Sequence, residues 1–188
     1  MRDQHVHSPY CPHGSTDTLE AYVQHAKKLN ISEVSFTEHA PLPQGFKDPT
    51  PLKDSAMTWS DLPHYLKAVQ QIKEKYKLDI KINVGLEVDY IEGYEHETRA
   101  FLDEYGPMLD DSILSVHFIK DGSNYYCIDY SEDNFYTIIQ QYGNIRSVYD
   151  KYFDTLKKSI LSDLGPYKPT RIGHITLVEK FKKKYPAP

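Results

Sequence analysis

Apolar positions along the chain fall into two alternating patterns, short β-rich runs and longer stretches with apolar residues at helical spacing. Residues 2–7 read as a first short strand. Asp17, with Glu20 three residues later, has the form of a capping box, and it opens a helix with apolar positions Leu19, Tyr22, Val23, Ala26 and Leu29. Residues 33–37 (EVSFT) form a second β-rich run. A long irregular segment follows, about 41–60, punctuated by Pro41, Pro43, Gly45, Pro49 and Pro51, and its length marks it as a lid-like loop. Ser60 is the expected N-cap of a helix near 61–76. IKINVGLEV is the best strand in the chain. A helix over roughly 94–104 precedes a fourth strand, SILSVHF, and residues 132–163 are predicted helical with a break near Gly143. Pro166 and Pro169 interrupt the chain before RIGHIT, the fifth candidate strand, and EKFKKKYPAP begins a helix and stops.

Alternation of strand and helix predicts a parallel sheet or an α/β barrel, contained in one domain over residues 1–188. The ends of the apolar runs carry the chemistry. His5 and His7 stand as His-x-His in the first, His13 follows in CPHG, and His39 lies just past the second. Glu87 lies near the end of the third run, His117 in the fourth and His174 in the fifth. Ligands at the C-terminal ends of successive strands are what a barrel active site requires, so a distorted TIM-like (β/α) barrel is favoured over an open sheet. His25, His64 and His96 fall inside predicted helices and read as solvated side chains. In an extended strand His5 and His7 project to one face and can reach one ion. Imidazole and carboxylate suit borderline divalent metals, and seven such ligands exceed one ion's needs. The pattern points to a multinuclear metal site and to hydrolysis, with Glu87 able to bridge two ions.

The formal net charge of −5 argues against a nucleic-acid-binding surface, though bound divalent cations would still admit an anionic substrate. Cys11 and Cys127 form neither a CxxC pair nor a disulfide framework, and a reduced cytoplasmic setting is the simplest expectation. No apolar stretch approaches the roughly 18 residues of a membrane span.

The ordered stretches HVHSPYCPHG, TEHAPLP, MTWSDLPHYLKAV, GLEVDYIEGYE, LSVHF and KPTRIGHI resemble the polymerase-and-histidinol-phosphatase (PHP) superfamily, and within it the monofunctional histidinol-phosphatases of bacterial histidine synthesis. The resemblance implies a distorted barrel with up to three divalent ions (zinc, iron or manganese) at its mouth. One ion would use His5, His7 and the bridging Glu87, a second Glu87, His117 and His174, and a third His13 and His39. It implies hydrolysis of a small phosphate ester, L-histidinol phosphate, to L-histidinol and phosphate by a metal-bridging hydroxide. A phosphodiesterase or exonuclease of the same superfamily is the alternative. The family pattern ends in an Asp-x-His, and residues 175–188 contain neither aspartate nor histidine. That departure leads us to expect a truncated chain, an incomplete barrel whose open edge invites self-association, and, as a third reading, a catalytically silent metal-binding fragment. Arg171 is the candidate phosphate ligand, because guanidinium grips phosphate bidentately, and Asp129 is the candidate partner for the substrate's amine or imidazole. Glu38 is a candidate orienter of a ligand. Cys11, two residues from His13, reads as a small buried thiol ahead of a ligand for a soft metal, and the KFKKK run at 180–184 as a solvated helix face ahead of a site for an anionic partner.

Overall fold

A computed structural model describes residues 1–12 and 14–188. Its centre is a five-stranded, wholly parallel sheet in the order β1-β2-β3-β4-β7. The strands are β1 (Arg2–Val6), β2 (Glu33–His39), β3 (Lys81–Asp89), β4 (Asp111–Ser115) and β7 (Arg171–Ile172). Helices α1 (Leu19–Lys28), α2 (Leu62–Lys75) and α3 (Glu95–Tyr105) make the first crossovers, and α4 (Glu132–Gln141) and α5 (Ile145–Leu161) lie between β4 and β7. The sheet curls until its two edges approach each other. Arg171 Nη2 on β7 donates to the carbonyl oxygen of Gln4 on β1 at 2.9 Å, although β1 and β7 share no ladder. The result is an incomplete barrel of the kind the strand-end ligands predict.

Two faces of β2 and β3 do different jobs, because side chains alternate along a strand. Val34 and Phe36 of β2, with Ile82, Val84, Leu86 and Val88 of β3, belong to the main hydrophobic core. Val23, Leu62, Tyr65 and Val69 of α1 and α2 join the same cluster. The other set is buried and polar: Ser35, Thr37 and His39 stand beside Asn83, Gly85 and Glu87 in register. Asn83 Nδ2 donates to Ser35 Oγ and Glu33 Oε1, both at 2.9 Å, so the rows below the ligands are tied together. Gly85 is small for a reason: a Cβ there would lie 2.8 Å from the carbonyl oxygen of Phe36 and 2.9 Å from that of Asp111.

Tyr65 clamps the same level from outside. It is fully buried, its hydroxyl lies 2.9 and 2.8 Å from the carbonyl oxygens of Phe36 and Gly85, and it accepts from the Glu38 amide at 3.3 Å. A buried hydroxyl shared between two strands is costly to delete. Tyr65→Phe is expected to lower unfolding stability by about 1–3 kcal/mol, read from the denaturant midpoint at unchanged slope.

Element boundaries differ from the sequence reading in physically simple ways. The cap of α1 is Thr18 and not Asp17, since Thr18 Oγ1 accepts from the Ala21 amide at 3.1 Å while Asp17 is engaged by Ser15. Asp61, and not Ser60, precedes α2, and Ser60 bonds Thr58 instead. SILSVHF is not one strand: β4 stops at Ser115, and Phe118–Asp121 and Asn124–Cys127 form an antiparallel hairpin, β5 and β6, turning at Gly122 with φ +57°. The helical region breaks at Gly143 (φ +83°) as expected, and Asn144 caps α5. The tail forms a short 3₁₀ turn at Leu177–Glu179 rather than a helix. The 41–60 segment is packed and not loose. Asp48 accepts from Thr50 and Ser55, and Pro41, Pro43, Thr50 and Met57 are buried.

Candidate metal centre

Glu87 is the hub of the site. It sits next to the end of the central strand, 1% exposed, and the imidazoles around its carboxylate divide between its two oxygens. Oε2 faces His5 Nε2 at 3.0 Å, His7 Nε2 at 3.3 Å and His39 Nδ1 at 3.5 Å. Oε1 accepts from Ser115 Oγ at 2.5 Å and faces His174 Nε2 at 2.9 Å and His117 Nε2 at 3.7 Å. One side of the carboxylate thus looks toward β1 and β2, and the other toward β4 and β7. Gly173 allows this, because a Cβ there would collide with Ser115 Oγ.

Three of the expected ligands collect in each of two triads on Glu87. One ligand atom each from His5, Glu87 and His174 lies within 4.8 Å of the others, and so does one each from His39, Glu87 and His117. A third group of the same kind joins His7 and His39 to Cys11, a buried thiol that lies within reach of the ligands. These groupings differ from the sets implied by the family resemblance, which paired His5 with His7 and His117 with His174. The two pairs are nevertheless adjacent, with ring centroids 5.2 Å and 4.9 Å apart. His13 lies outside the described residues. His25, His64 and His96 are exposed on α1, α2 and α3, as expected of solvated side chains, although His25 lines a groove that His5 and His7 also line.

Two buried acids set the histidine tautomers. Glu38, wholly buried, meets His7 Nδ1 at 3.0 Å and accepts from the amide and hydroxyl of Ser8 at 2.8 and 2.7 Å. Asp89, 4% exposed, meets His117 Nδ1 at 2.6 Å. In both cases the acid takes Nδ1 and leaves Nε2 directed at Glu87, the arrangement by which outer carboxylates orient metal-binding imidazoles. Burial opposes a charge on His7, but hydrogen bonds with Cys11, Glu38 and Glu87 outweigh it and push its pKa up to about 12. Burial likewise opposes charge on His117, and Asp89 with Glu87 pushes it up to about 10. His39 goes the other way, down to about 3, because burial is reinforced by its imidazole neighbours. Burial raises Glu87, but bonds from His174, His5 and His7 hold it well below the ordinary carboxylate range.

These residues fit divalent ions. The donors are borderline nitrogen and oxygen, a buried carboxylate presents both oxygens, and the buried His174 Nδ1 has no hydrogen-bond partner among the described residues. His117 Nε2 and His174 Nε2 lie 3.2 Å apart, a close approach of two nitrogens that a shared cation would readily explain.

Arg171 is not brought to this cluster. Its guanidinium forks onto Asp111, Nε to Oδ1 at 3.0 Å and Nη2 to Oδ2 at 2.6 Å, and also holds the Gln4 carbonyl. Asp111 pairs with Gly85, two residues and roughly 7 Å of strand below Glu87. The expectation that it grips phosphate is therefore corrected: Arg171 ties the sheet edges together. Asp129 does reach the site. A cavity of about 180 Å³ beside the cluster is lined by His39, His117, Asp54, Phe118, Asp129 and Lys180, among others. Lys180, exposed as expected of the KFKKK run, donates to the Asp129 carbonyl at 2.7 Å and to its Oδ2 at 3.2 Å.

A parallel half-barrel with strand-end histidines around one glutamate is the setting of a known class. The PHP domain model matches residues 3–187, and the chain belongs to that family. It is 52% identical over 185 residues to the histidinol-phosphatase of Bacillus subtilis (strain 168), an alignment covering 98% of this chain and 69% of the relative. A solved Listeria monocytogenes structure, provisionally assigned as a histidinol phosphatase, superposes with a TM-score of 0.92 at 42% identity over 97% of this chain and 70% of that one. The histidinol phosphate phosphatase of Lactococcus lactis, solved with zinc, L-histidinol and phosphate, shares the fold at a TM-score of 0.71 and 24% identity, over 95% and 59% of the two chains. This chain thus spans between about three fifths and 70% of the length of those proteins.

Proposed function

We propose that the chain is a metal-dependent phosphomonoesterase that hydrolyses L-histidinol phosphate to L-histidinol and phosphate. One observation carries the reading: the two oxygens of a buried Glu87 face separate sets of imidazoles beside a cavity able to take a small molecule. The B. subtilis relative supplies the substrate class, through 52% identity along nearly the whole chain. His5, His7, Glu87, His39, His117 and His174 would hold the ions, with His13 as a further ligand. Zinc, manganese and iron all match the donor set. Bound there, such ions supply an activated water and neutralise phosphate oxygens.

The residues themselves do the rest. Glu87 keeps two ligand groups at a fixed separation. Asp89 and Glu38 hold His117 and His7 by Nδ1. Asp129 lines the cavity, where its carboxylate can meet the amine or imidazole of histidinol. Residues 1–188 act as one PHP domain in this reading, and 41–60 closes over the cavity, bringing Asp54 and Ser55 to its wall. A cytoplasmic setting suits a biosynthetic phosphatase, and no helix among the described residues is long and apolar enough to cross a membrane. The edge strands β1 and β7 leave a place for self-association, which sedimentation would detect.

Phosphate release from L-histidinol phosphate and from a short oligonucleotide, with metal content measured in parallel, tests the proposal. Release from the monoester alone supports it. Release from the oligonucleotide would favour the phosphodiesterase alternative, and bound metal without turnover a silent metal-binding fragment. Asp89→Asn is expected to weaken metal binding by about 10–100-fold while the fold stays intact, measured by competition with a chromophoric chelator.

A further inference from the structure

Phosphate is an anion, and the cavity beside the ligand cluster is rich in acid. Asp54, Asp89 and Asp129 all line it. Ions would offset part of that charge, but a dianionic ester still needs a cation on the protein side. Arg171 cannot serve, being spent on Asp111 and Gln4. Among the described lining residues Lys180 is the only lysine or arginine.

We propose that Lys180 is the side chain that grips the substrate's phosphate, with Asp129 as the positioning residue that holds its ammonium in place. This rests on the phosphatase reading above. After His174 the chain turns through Leu177–Glu179, and this reversal carries Lys180 back to the cavity that His39 and His117 also line. An ammonium has three donors. Two go to Asp129, at the carbonyl oxygen and at Oδ2, which fixes Nζ and leaves a third donor for a phosphate oxygen. Asp129 is also held from the other side by the Cys127 thiol, which donates to Oδ1 at 3.3 Å. Lysine contributes a point charge and not a fork, which would suit an ester whose other oxygens were neutralised by bound ions.

The test is calorimetric titration of inorganic phosphate, and separately of L-histidinol, into the zinc-loaded 188-residue chain. Lys180→Met is expected to weaken phosphate binding by about tenfold or more, the loss typical of a charge-assisted hydrogen bond, with zinc content unchanged and L-histidinol binding not weakened. Lys180→Arg should restore most of the phosphate affinity. Lys180→Gln, which keeps donors for Asp129 without the charge, carries the same expectation as Lys180→Met and decides the matter if the latter does not fold. Unchanged phosphate binding overturns the assignment of Lys180. So does an equal loss of phosphate and L-histidinol, which would mean that the Lys180–Asp129 pair only maintains the shape of the cavity. A parent chain that binds no phosphate at all overturns the phosphatase reading as well, so the two failures are distinguishable.

Discussion

Glu87→Gln is expected to abolish most metal retention and phosphate release, lowering both by roughly 10² to 10⁴. The replacement has nearly the same size and shape, so packing around position 87 is preserved. What changes is charge and donor count. Glu87 presents two acceptors to imidazoles on two sides, Oε2 toward His5, His7 and His39, and Oε1 toward His117, His174 and Ser115. An amide has one acceptor and one donor group. Either orientation turns an NH₂ toward nitrogens that must offer lone pairs to an ion, and neither can bridge two ions. Removing one partner from a buried charge network costs about 3–5 kcal/mol, which converts to the range above. Elemental analysis and phosphate release on parent and variant would check it. A variant with full metal content and turnover within about tenfold of the parent would mean that Glu87 is only a neighbour of the ions.

The histidine series was legible because each parallel strand delivers the residues near its C-terminal end to one rim, so one-dimensional placement translates directly into spatial convergence. His39 and Glu87 even stand in register across β2 and β3. The supporting residues were harder to read. Asp89 lies two positions after Glu87, and nothing local shows that His117, from the next strand, will dock on it. Glu38 was identifiable only as one of two possible orientations of an alternating side chain, and the contact with His7 depends on where β1 ends. Arg171 was misread because strand spacing does not show which acid will claim a guanidinium. It pairs with Ile113, which itself stands in register with Glu87, yet its long side chain reaches back to Asp111. Lys180 was hidden by its company. Lys182 and Lys184 pair with surface acids, while Lys180, also exposed, follows a 3₁₀ turn that no periodicity announces and so reaches the rim of the cavity. The hairpin at 118–127 was lost inside a continuous apolar run, although Asp121-Gly122 marks its turn.

Metal affinity is expected to climb steeply with pH, by about two decades per pH unit between roughly pH 7 and 9. In the metal-free chain His7 is raised to about 12 and His117 to about 10, from an ordinary 6.5. For groups raised on folding, the stabilisation is complete below the unfolded value and is lost as pH rises through the folded one. Their contribution is therefore full below pH 6.5 and fades toward about pH 10 for His117 and about 12 for His7. Glu87 has the opposite sign: its contribution is present above 4.5 and is lost only as pH falls through its depressed value. Without ions His7 and His117 thus support the fold as protonated imidazoles beside Glu87. An ion needs lone pairs on the nitrogens that face Glu87, so its arrival expels one proton from each of the two raised histidines. His39, held down to about 3, is already neutral and releases none. Competition against a chromophoric chelator across this range should give a logarithmic slope near two. Asp89→Asn should bring it close to one, because His117 then loses the carboxylate that keeps its proton. A flat profile in the parent would mean that the imidazoles around Glu87 are neutral before any ion binds.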